Sequence, residues 1–327
     1  MEARRVLITG SSGFIGSHLV SRLTTAGWIV NGLDRRPPQR VKPQYFQQVD
    51  LLDARAVVAA VRAANPDAVV HLAARTDLEG KCVTDYAENS IGVDNLSSAI
   101  QLVPRVQRCL FVSSQLVCRA GYKPTSDRDY CPPNPYGESK VLTEERVRAS
   151  DGGGVIWCLL RPTTVWGPGM NSHYIRFFRH LRAGRYFHPG AGRLLKSYGY
   201  VGNIAHQLER FLLAEGSQVH RRMFYIADYE PISLPKWIDQ IALQLGSRRP
   251  LTLPLPLCRG LARVGDLLQW AGVGRLLPFN SFRLDNILAE YTYDLSETRA
   301  ICGELPFNYA VGVSELADWI RADFYGK

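Results

Sequence analysis

Short apolar runs and apolar residues at helical spacing take turns through the first half of the chain. Val6, Leu7, Ile8 and Thr9 predict a buried strand, and Phe14, Ile15, Leu19, Val20 and Leu23 predict a helix that Gly27 ends. Trp28 to Leu33 predicts a second strand, which delivers Asp34. Beyond a polar connection carrying Pro37, Pro38 and Pro43, the pattern predicts a strand near Tyr45 to Val49, a helix from Asp53 to Ala63 and a strand over Ala68 to Leu72. A helix starting near Asp85, a strand at Cys109 to Val112, a helix at Tyr136 to Arg148 and a strand at Val155 to Leu160 continue the alternation. Uniformly apolar strands alternating with helices argue for an α/β fold, a doubly wound parallel sheet covered on both faces. Ligands of such sheets bind beyond the carboxyl ends of the strands.

From Gly167 the alternation breaks. Gly167, Pro168 and Gly169 open a loop, Tyr174 to Leu181 reads as an aromatic-basic helix, and Gly184 to Leu195 is irregular. Met223 to Ala227 is expected to return to the main sheet. A helix from Leu234 to Leu245, a Pro- and Leu-rich stretch from Leu251 to Leu277 and a last helix from Val313 to Phe324 follow. The expected division is a first domain of 1–170 plus about 198–230, and a smaller, discontinuous substrate-binding cap of 171–197 and 231–327. Arg259, Arg263 and Arg275 interrupt the apolar Leu251–Leu277 stretch as they would in an interfacial helix. Pro254, Pro256 and Asp266 favour a cap helix packed on its own protein instead.

A chain of 327 residues exceeds one ordinary core, in agreement with two domains. With 46% hydrophobic and 21% charged residues it reads as a soluble globular protein. It has no uninterrupted apolar run of about 18 residues. The first strand begins almost at once, leaving no room for a signal peptide, so the cytoplasm is the expected compartment. Seven cysteines, Cys82, Cys109, Cys118, Cys131, Cys158, Cys258 and Cys302, are an odd number without metal-type spacing; they suggest free thiols and no metal site. The net charge of +9 is scattered and accompanies no nucleic-acid motif, so nucleic acid is not an expected partner. A polyanionic small substrate, or merely a soluble surface, accounts for it equally.

The chemistry concentrates in two places. Gly10, Gly13 and Gly16 lie between the first strand and the first helix. The first suits a tight turn, the second a close approach of backbone to a pyrophosphate, and the third close packing of helix on strand. Phosphates would meet the helix N-terminus, where unpaired N–H groups and the helix dipole favour an anion. Asp34 follows at about 20 residues, where a carboxylate accepts bonds from the ribose hydroxyls of NAD and repels a 2′-phosphate. Arg35 and Arg36 leave NADP open. The second place is Tyr136-Gly137-Glu138-Ser139-Lys140, in which residues four apart share a helix face, with Ser114 at the preceding strand end. Bringing a phenol from about 10 toward neutrality takes about 4 kcal/mol. The Lys140 ammonium and a positively charged nicotinamide are the expected sources. Tyr136 would then exchange a proton with a substrate oxygen that Ser114 also bonds, while hydride moves to or from the nicotinamide.

On these residues the chain resembles the extended short-chain dehydrogenase/reductases, the branch of NAD-dependent nucleotide-sugar epimerases, dehydratases and reductases built on a Rossmann-type sheet. The resemblance rests also on His71-Leu72-Ala73-Ala74, Asn89 with Gly92 and Asn95, Ser113-Ser114, Leu160-Arg161-Pro162 before Gly167-Pro168, and Tyr200-Val201-Gly202-Asn203. It implies Ser114, Tyr136 and Lys140 as a catalytic triad. It implies a cofactor held by Gly10, Gly13, Phe14, Ile15, Gly16, Asp34, Asp50, Leu51, Leu72, Ala73, Ala74, Asn89, Tyr136 and Lys140. Asp50 serves equally as a cap for the helix beginning at Asp53. The resemblance further implies a nucleoside-diphosphate sugar as substrate, with Ser114, Thr164, Lys196 and Arg283 as its contacts. Surface or core-edge roles suit Thr164, Lys196 and Arg283 equally well.

Gln115 and Leu116 stand where dehydratases of the branch carry an Asp-Glu pair, and neither transfers a proton at neutral pH. Gln115 also replaces the Cys of the 3,5-epimerases. The expectation is therefore 4-epimerisation, with 4-keto-sugar reduction as the alternative and a cofactor-sensing scaffold as the non-enzymatic one. Relatives of the branch form a four-helix dimer seam, to which Ile91, Leu96, Leu142 and Val147 would contribute here if they do not simply cover the sheet.

Overall fold

In the computed structural model, which describes residues 3–170, 172–272 and 279–325, the chain divides into two compact units. The first comprises Met1–Trp166, Gly199–Tyr229 and Asp294–Phe307, the second Gly167–Tyr198, Glu230–Tyr293 and Asn308–Lys327.

The first unit is a seven-stranded parallel sheet. In chain order its strands are β1 (Arg5–Thr9), β2 (Ile29–Asp34), β3 (Tyr45–Gln48), β4 (Ala68–His71), β5 (Arg108–Val112), β6 (Ile156–Pro162) and the strand Arg222–Ile226. In space the order is β3-β2-β1-β4-β5-β6, closed by Arg222–Ile226, and every neighbour is parallel. The helices between them are α1 (Phe14–Thr25), α2 (Ala54–Ala64), α3 (Ile91–Gln101) and α4 (Pro135–Ala149). Alternate strand residues feed opposite cores. Val6, Ile8, Val70, Leu110 and Leu160 pack with Leu19, Val20 and Leu23 of α1, whereas Leu7, Val69, Phe111 and Leu159 pack with Val57 of α2 and Leu96 of α3. Both faces are therefore covered, which is why the strands read as continuous apolar runs.

The element starting near Asp85 is two pieces, a 3₁₀ segment Val83–Asn89 and then α3. Asp53, not Asp50, caps α2, its Oδ1 accepting from Ala56 N at 3.0 Å; Asp50 instead accepts from Leu52 N in a local turn. The helix Val201–Leu213 has no separate sequence prediction, because its start coincides with the Tyr200-Val201-Gly202-Asn203 motif. Residues 294–307, expected in the cap, belong to the first unit. Thr298 Oγ1 donates to Tyr225 O at 2.6 Å, and Cys302 is buried in the core.

The second unit is built from the helices Ser172–Arg182, Leu234–Gln244, Leu255–Trp270, Ser281–Leu288 and Tyr309–Tyr325, with short strand pairs. One pair joins Phe187–Pro189 to Leu251–Leu253, the other Leu195–Lys196 to Ile232–Ser233. Phe178 and Tyr198 set their rings against Trp237 at its centre. The Leu251–Leu277 stretch resolves into a strand and a helix, with Arg275 and Leu277 outside the described residues. The inner face of that helix, Cys258 and Ala262, packs with Leu284, as a cap helix should.

Candidate active site

The strand order reverses between β1 and β4, and the glycine turn stands there. Gly10 has φ of +72°, and a Cβ on it would lie 2.7 Å from Ala73 N. A Cβ on Gly16 would lie 2.1 Å from Gly10 O. The chain's own backbone thus requires two of the three glycines. Gly13 differs: its Cβ would meet only Gly10 O, at 3.1 Å, so the bare surface at this position suits a ligand approaching from outside. As N-cap of α1, Gly13 supplies no side-chain bond, and no acid occupies the first turn. The N–H groups there, beginning at Phe14 and Ile15, are left for an anion.

Asp34, buried at the end of β2, accepts from Ser12 N at 3.1 Å and from Arg36 N at 3.0 Å. Those bonds fix the carboxylate beside the turn and leave lone pairs for ribose hydroxyls. Arg35 is paired with Glu88 at 3.0 Å, which occupies one of the two cations that would welcome a 2′-phosphate. Leu51 is buried against the flank of α3, and Asn95 Nδ2 donates to its carbonyl. Leu72, Ala73 and Ala74 continue β4 as half-buried residues, and Ala73 N donates to Thr9 Oγ1 at 3.2 Å. Asn89 is a bracket. Its amide accepts from Arg75 N and donates to Arg75 O and to Ser139 Oγ, tying α4 to the loop after β4. With those bonds made, the expected contact of Asn89 with the cofactor gives way to a structural role.

The sequence folds α4 so that Tyr136 lies in its first turn. Asn134 caps it, accepting from Gly137 N at 2.9 Å, and Pro135 follows. The Ser114 hydroxyl, at the end of β5, accepts from Leu116 N at 3.1 Å and acts on the nearby Tyr136 phenol in favour of its ionised form. Burial acts more strongly in the other direction. With the Tyr86 ring at 5.9 Å adding to it, Tyr136 is pushed up to about 12. Lys140 is also buried, and its Nζ donates to Val112 O at 2.8 Å. Burial brings it down to about 8, against the attraction of Glu144. Burial thus outweighs the Ser114 hydroxyl, and Lys140 is not among the groups that act on the phenol; of the two expected sources of its lowering, the nicotinamide charge is the one the proposal keeps.

Sequence reasoning missed the buried network under this pair. Glu144, one turn beyond Lys140, accepts from Ser113 Oγ at 2.7 Å, from Arg161 Nε at 2.7 Å and Nη2 at 2.8 Å, and from Tyr130 and Arg148. Burial opposes its ionisation, but Arg161 and Ser113 outweigh that and hold its carboxyl below the usual range. The signal was present, since Tyr136, Lys140 and Glu144 repeat every four residues on one helix face. Gln115 Nε2 donates to Thr164 Oγ1 at 3.2 Å, so Thr164 stands in the first unit beside the strand end that carries Ser114.

Two substrate expectations fare differently. Lys196 is buried in the second unit, and its Nζ donates to Asn286 O at 2.9 Å and Ala289 O at 2.8 Å, with the Tyr291 ring beneath it. An ammonium committed in this way is a structural clamp, so its assignment to a diphosphate is withdrawn. Arg283 is exposed on the helix Ser281–Leu288. Of the four seam residues, Leu96 and Val147 are buried in the sheet's own core, whereas Ile91 is exposed and Leu142 half-buried.

A parallel sheet with this strand order, a glycine cradle at its switch point and a Ser–Tyr–Lys set at the adjoining strand end define a dinucleotide-dependent enzyme of the Rossmann class. More narrowly, residues 6–227 match the model of the NAD dependent epimerase/dehydratase family, and the chain belongs to that family. It is 31% identical over 272 residues to a 3 beta-hydroxysteroid dehydrogenase/Delta 5-->4-isomerase of Mycobacterium tuberculosis, covering 76% of this chain and 71% of that one. It is 26% identical to the N-acetyl-alpha-D-glucosaminyl-diphospho-ditrans,octacis-undecaprenol 4-epimerase of Escherichia coli O157:H7, covering 94% and 92%. A solved UDP-glucose-4-epimerase from Stenotrophomonas maltophila, with bound NAD and formylated UDP-arabinopyranose, shares the fold at a TM-score of 0.76 and 20% identity, covering 99% and 100%.

Proposed function

We propose that the protein is an NAD-dependent epimerase of a nucleoside-diphosphate sugar, inverting C4 by removing and returning hydride at one carbon. The carrying observation is Tyr136 in the first turn of α4, with Lys140 one turn on bonded to the end of β5, and with Gln115 and Leu116 following Ser114. One proton relay is present, and at the two positions after Ser114 no group can take up or release the second proton that loss of water demands. Bound NAD would supply hydride acceptance and a positive ring charge. Tyr136 would take the substrate hydroxyl proton and Ser114 would donate to the same oxygen, while Lys140, fixed by its 2.8 Å bond to Val112 O, would bond the cofactor ribose. Gly13, the α1 N-terminus, Asp34 and the Leu72–Ala74 strand end hold the cofactor.

Reduction of a ketone is the second reading, favoured by the withdrawal of Lys196 from the substrate and by the hydroxysteroid dehydrogenase among the relatives. Purified protein incubated with uridine, guanosine, cytidine and thymidine diphosphate sugars, with and without NADH or NADPH, separates the readings. Turnover without net cofactor change supports epimerisation, and stoichiometric oxidation of the reduced cofactor supports reduction. Tyr136→Phe should lower either by about 10²- to 10⁴-fold while NAD still binds, and unchanged turnover would end the mechanism. A cytoplasmic homodimer with a seam through α3 and α4 completes the proposal; a mass in solution of one chain would remove the dimer.

A further inference from the structure

The helix Leu255–Trp270 carries two faces of opposite character. Leu255, Cys258, Ala262 and Gly265 form the inner one, and Gly265 lies so close to the backbone at Phe279 that an added Cβ would be 1.9 Å from its carbonyl oxygen. Three- and four-residue steps along the opposite side give Leu257, Gly260, Val264, Leu267 and Ala271, all exposed, and beside them Arg259, Arg263 and Trp270. Trp270 is 89% exposed, Leu267 65%, Leu257 51% and Val264 48%, and Phe282 on the next helix is 72% exposed. Single exposed apolar residues are ordinary on a protein surface, but Leu257, Val264 and Leu267 on one helix face with an almost bare tryptophan beside them are not.

The charges around this stripe have one dominant sign. Arg259 and Arg263 lie beside it, and Arg248 and Arg283 are exposed elsewhere in the same unit, where Arg249 is paired with Asp239 at 3.0 Å. The helix's one acid, Asp266, is turned to the side and accepts from Ser281 N and Ser281 Oγ; Asp285 is the exposed acid of the adjoining helix. Such a face matches neither water nor a purely apolar partner. It fits an interface whose outer layer is anionic and whose inner layer is hydrocarbon, where arginine heads stay among phosphates and tryptophan sits at the boundary. No described helix is long and apolar enough to cross a membrane, so contact would be peripheral.

We propose that the outer face of Leu255–Trp270 docks the protein on an anionic lipid bilayer surface, with Leu257, Val264, Leu267 and Trp270 entering the headgroup layer and Arg259 and Arg263 pairing with lipid phosphates. The proposal stands on this surface alone and holds whichever reaction the enzyme performs.

The full-length protein should co-sediment with vesicles of phosphatidylglycerol and phosphatidylcholine, weakly or not at all with phosphatidylcholine alone, and less as salt rises. Trp270 emission should shift to the blue on binding. The double variant Arg259→Glu/Arg263→Glu should lower partitioning into anionic vesicles by about thirtyfold, at about 1 kcal/mol for each arginine removed. Leu267→Ser/Trp270→Ser should lower it comparably, even at low salt. All four residues are exposed, so both variants should keep their circular dichroism and turnover, which separates lost docking from lost folding. Failure of the folded wild-type protein to bind anionic vesicles, or equal binding by both variants, overturns the proposal. So does a dimer that Leu267→Ser/Trp270→Ser dissociates in the absence of vesicle binding, which would assign the face to a second copy of the chain.

Discussion

The Ser114 hydroxyl and the burial of Tyr136 pull the phenol in opposite directions, and burial wins. A phenol pushed up to about 12 is almost wholly protonated at neutral pH, so a positive charge placed next to it would raise the share of the phenolate that can accept a proton. This links proton transfer to the oxidised cofactor and keeps the site quiet otherwise. Lys140 sets the upper pH limit. Its ordinary value of 10.5 is lowered by burial to about 8, so the ammonium is present below that pH and lost as pH rises through it. Turnover should fall on the alkaline side with an apparent pKa near 8 in a pH–rate profile. Stability should move the other way. Between about 8 and 10.5 the unfolded chain binds more protons at this group than the folded one, so its contribution to stability rises with pH. An alkaline loss of activity that tracks thermal unfolding would contradict this account. Lys196 offers the converse test. Lys196→Met should cost about 1–3 kcal/mol in chemical denaturation, because the carbonyls of Asn286 and Ala289 lose the charged donor that the buried Lys196 supplies, and should leave KM for a sugar nucleotide nearly unchanged. A large rise in KM without a stability change would restore it to the substrate.

At the scale of elements, α4 is positioned from both ends. Asn134 and Pro135 fix its start, and the Glu144–Arg161–Ser113 network fixes its middle to the ends of β5 and β6. Ser113 is adjacent to Ser114, and Glu144 lies one turn from Lys140, so the network fixes the strand end and the helix that bring Ser114 to Tyr136. Glu144→Gln leaves the Arg161 guanidinium buried without its counter-charge. A loss of about 3–5 kcal/mol in unfolding free energy is expected, measured by denaturant titration. A loss below about 1 kcal/mol would mean that the pair is replaceable. The glycine turn follows the same logic, since backbone contacts at Gly10 and Gly16 bring α1 onto β1 closely enough to present its N-terminus at the switch point.

At the scale of the whole molecule, two interleaved units divide the labour. The candidate cofactor and catalytic residues lie in the first, as does Thr164, while Arg283 and the helix Leu255–Trp270 lie in the second. Ligand binding should therefore stabilise the first unit's cooperative unfolding. NAD at about a hundred times its Kd is expected to add about 2.7 kcal/mol, read as a rise in melting temperature, with a smaller rise from NADP at equal concentration because the Asp34 carboxylate would repel a 2′-phosphate. An equal or larger effect of NADP would show Arg35 exchanging Glu88 for phosphate, or Arg36 binding it.

The sequence alone determined whatever is encoded locally. Strand runs, helical periods, the order strand–glycine–helix–strand–acid and the four-residue spacing of Tyr136 and Lys140 are properties of neighbouring residues, so the α/β class, the Rossmann-type sheet and the candidate catalytic set were legible from them. What depends on distant partners was not. Whether Asn89 or Lys196 meets a ligand or a carbonyl, whether Leu96 and Val147 face a partner or the sheet, and whether residues 294–307 join the first or second unit are decided by backbone that arrives from far along the chain. The tertiary structure also decided how strongly burial raises the Tyr136 phenol, because burial is a sum over everything that surrounds a group, and no spacing in the sequence records that sum.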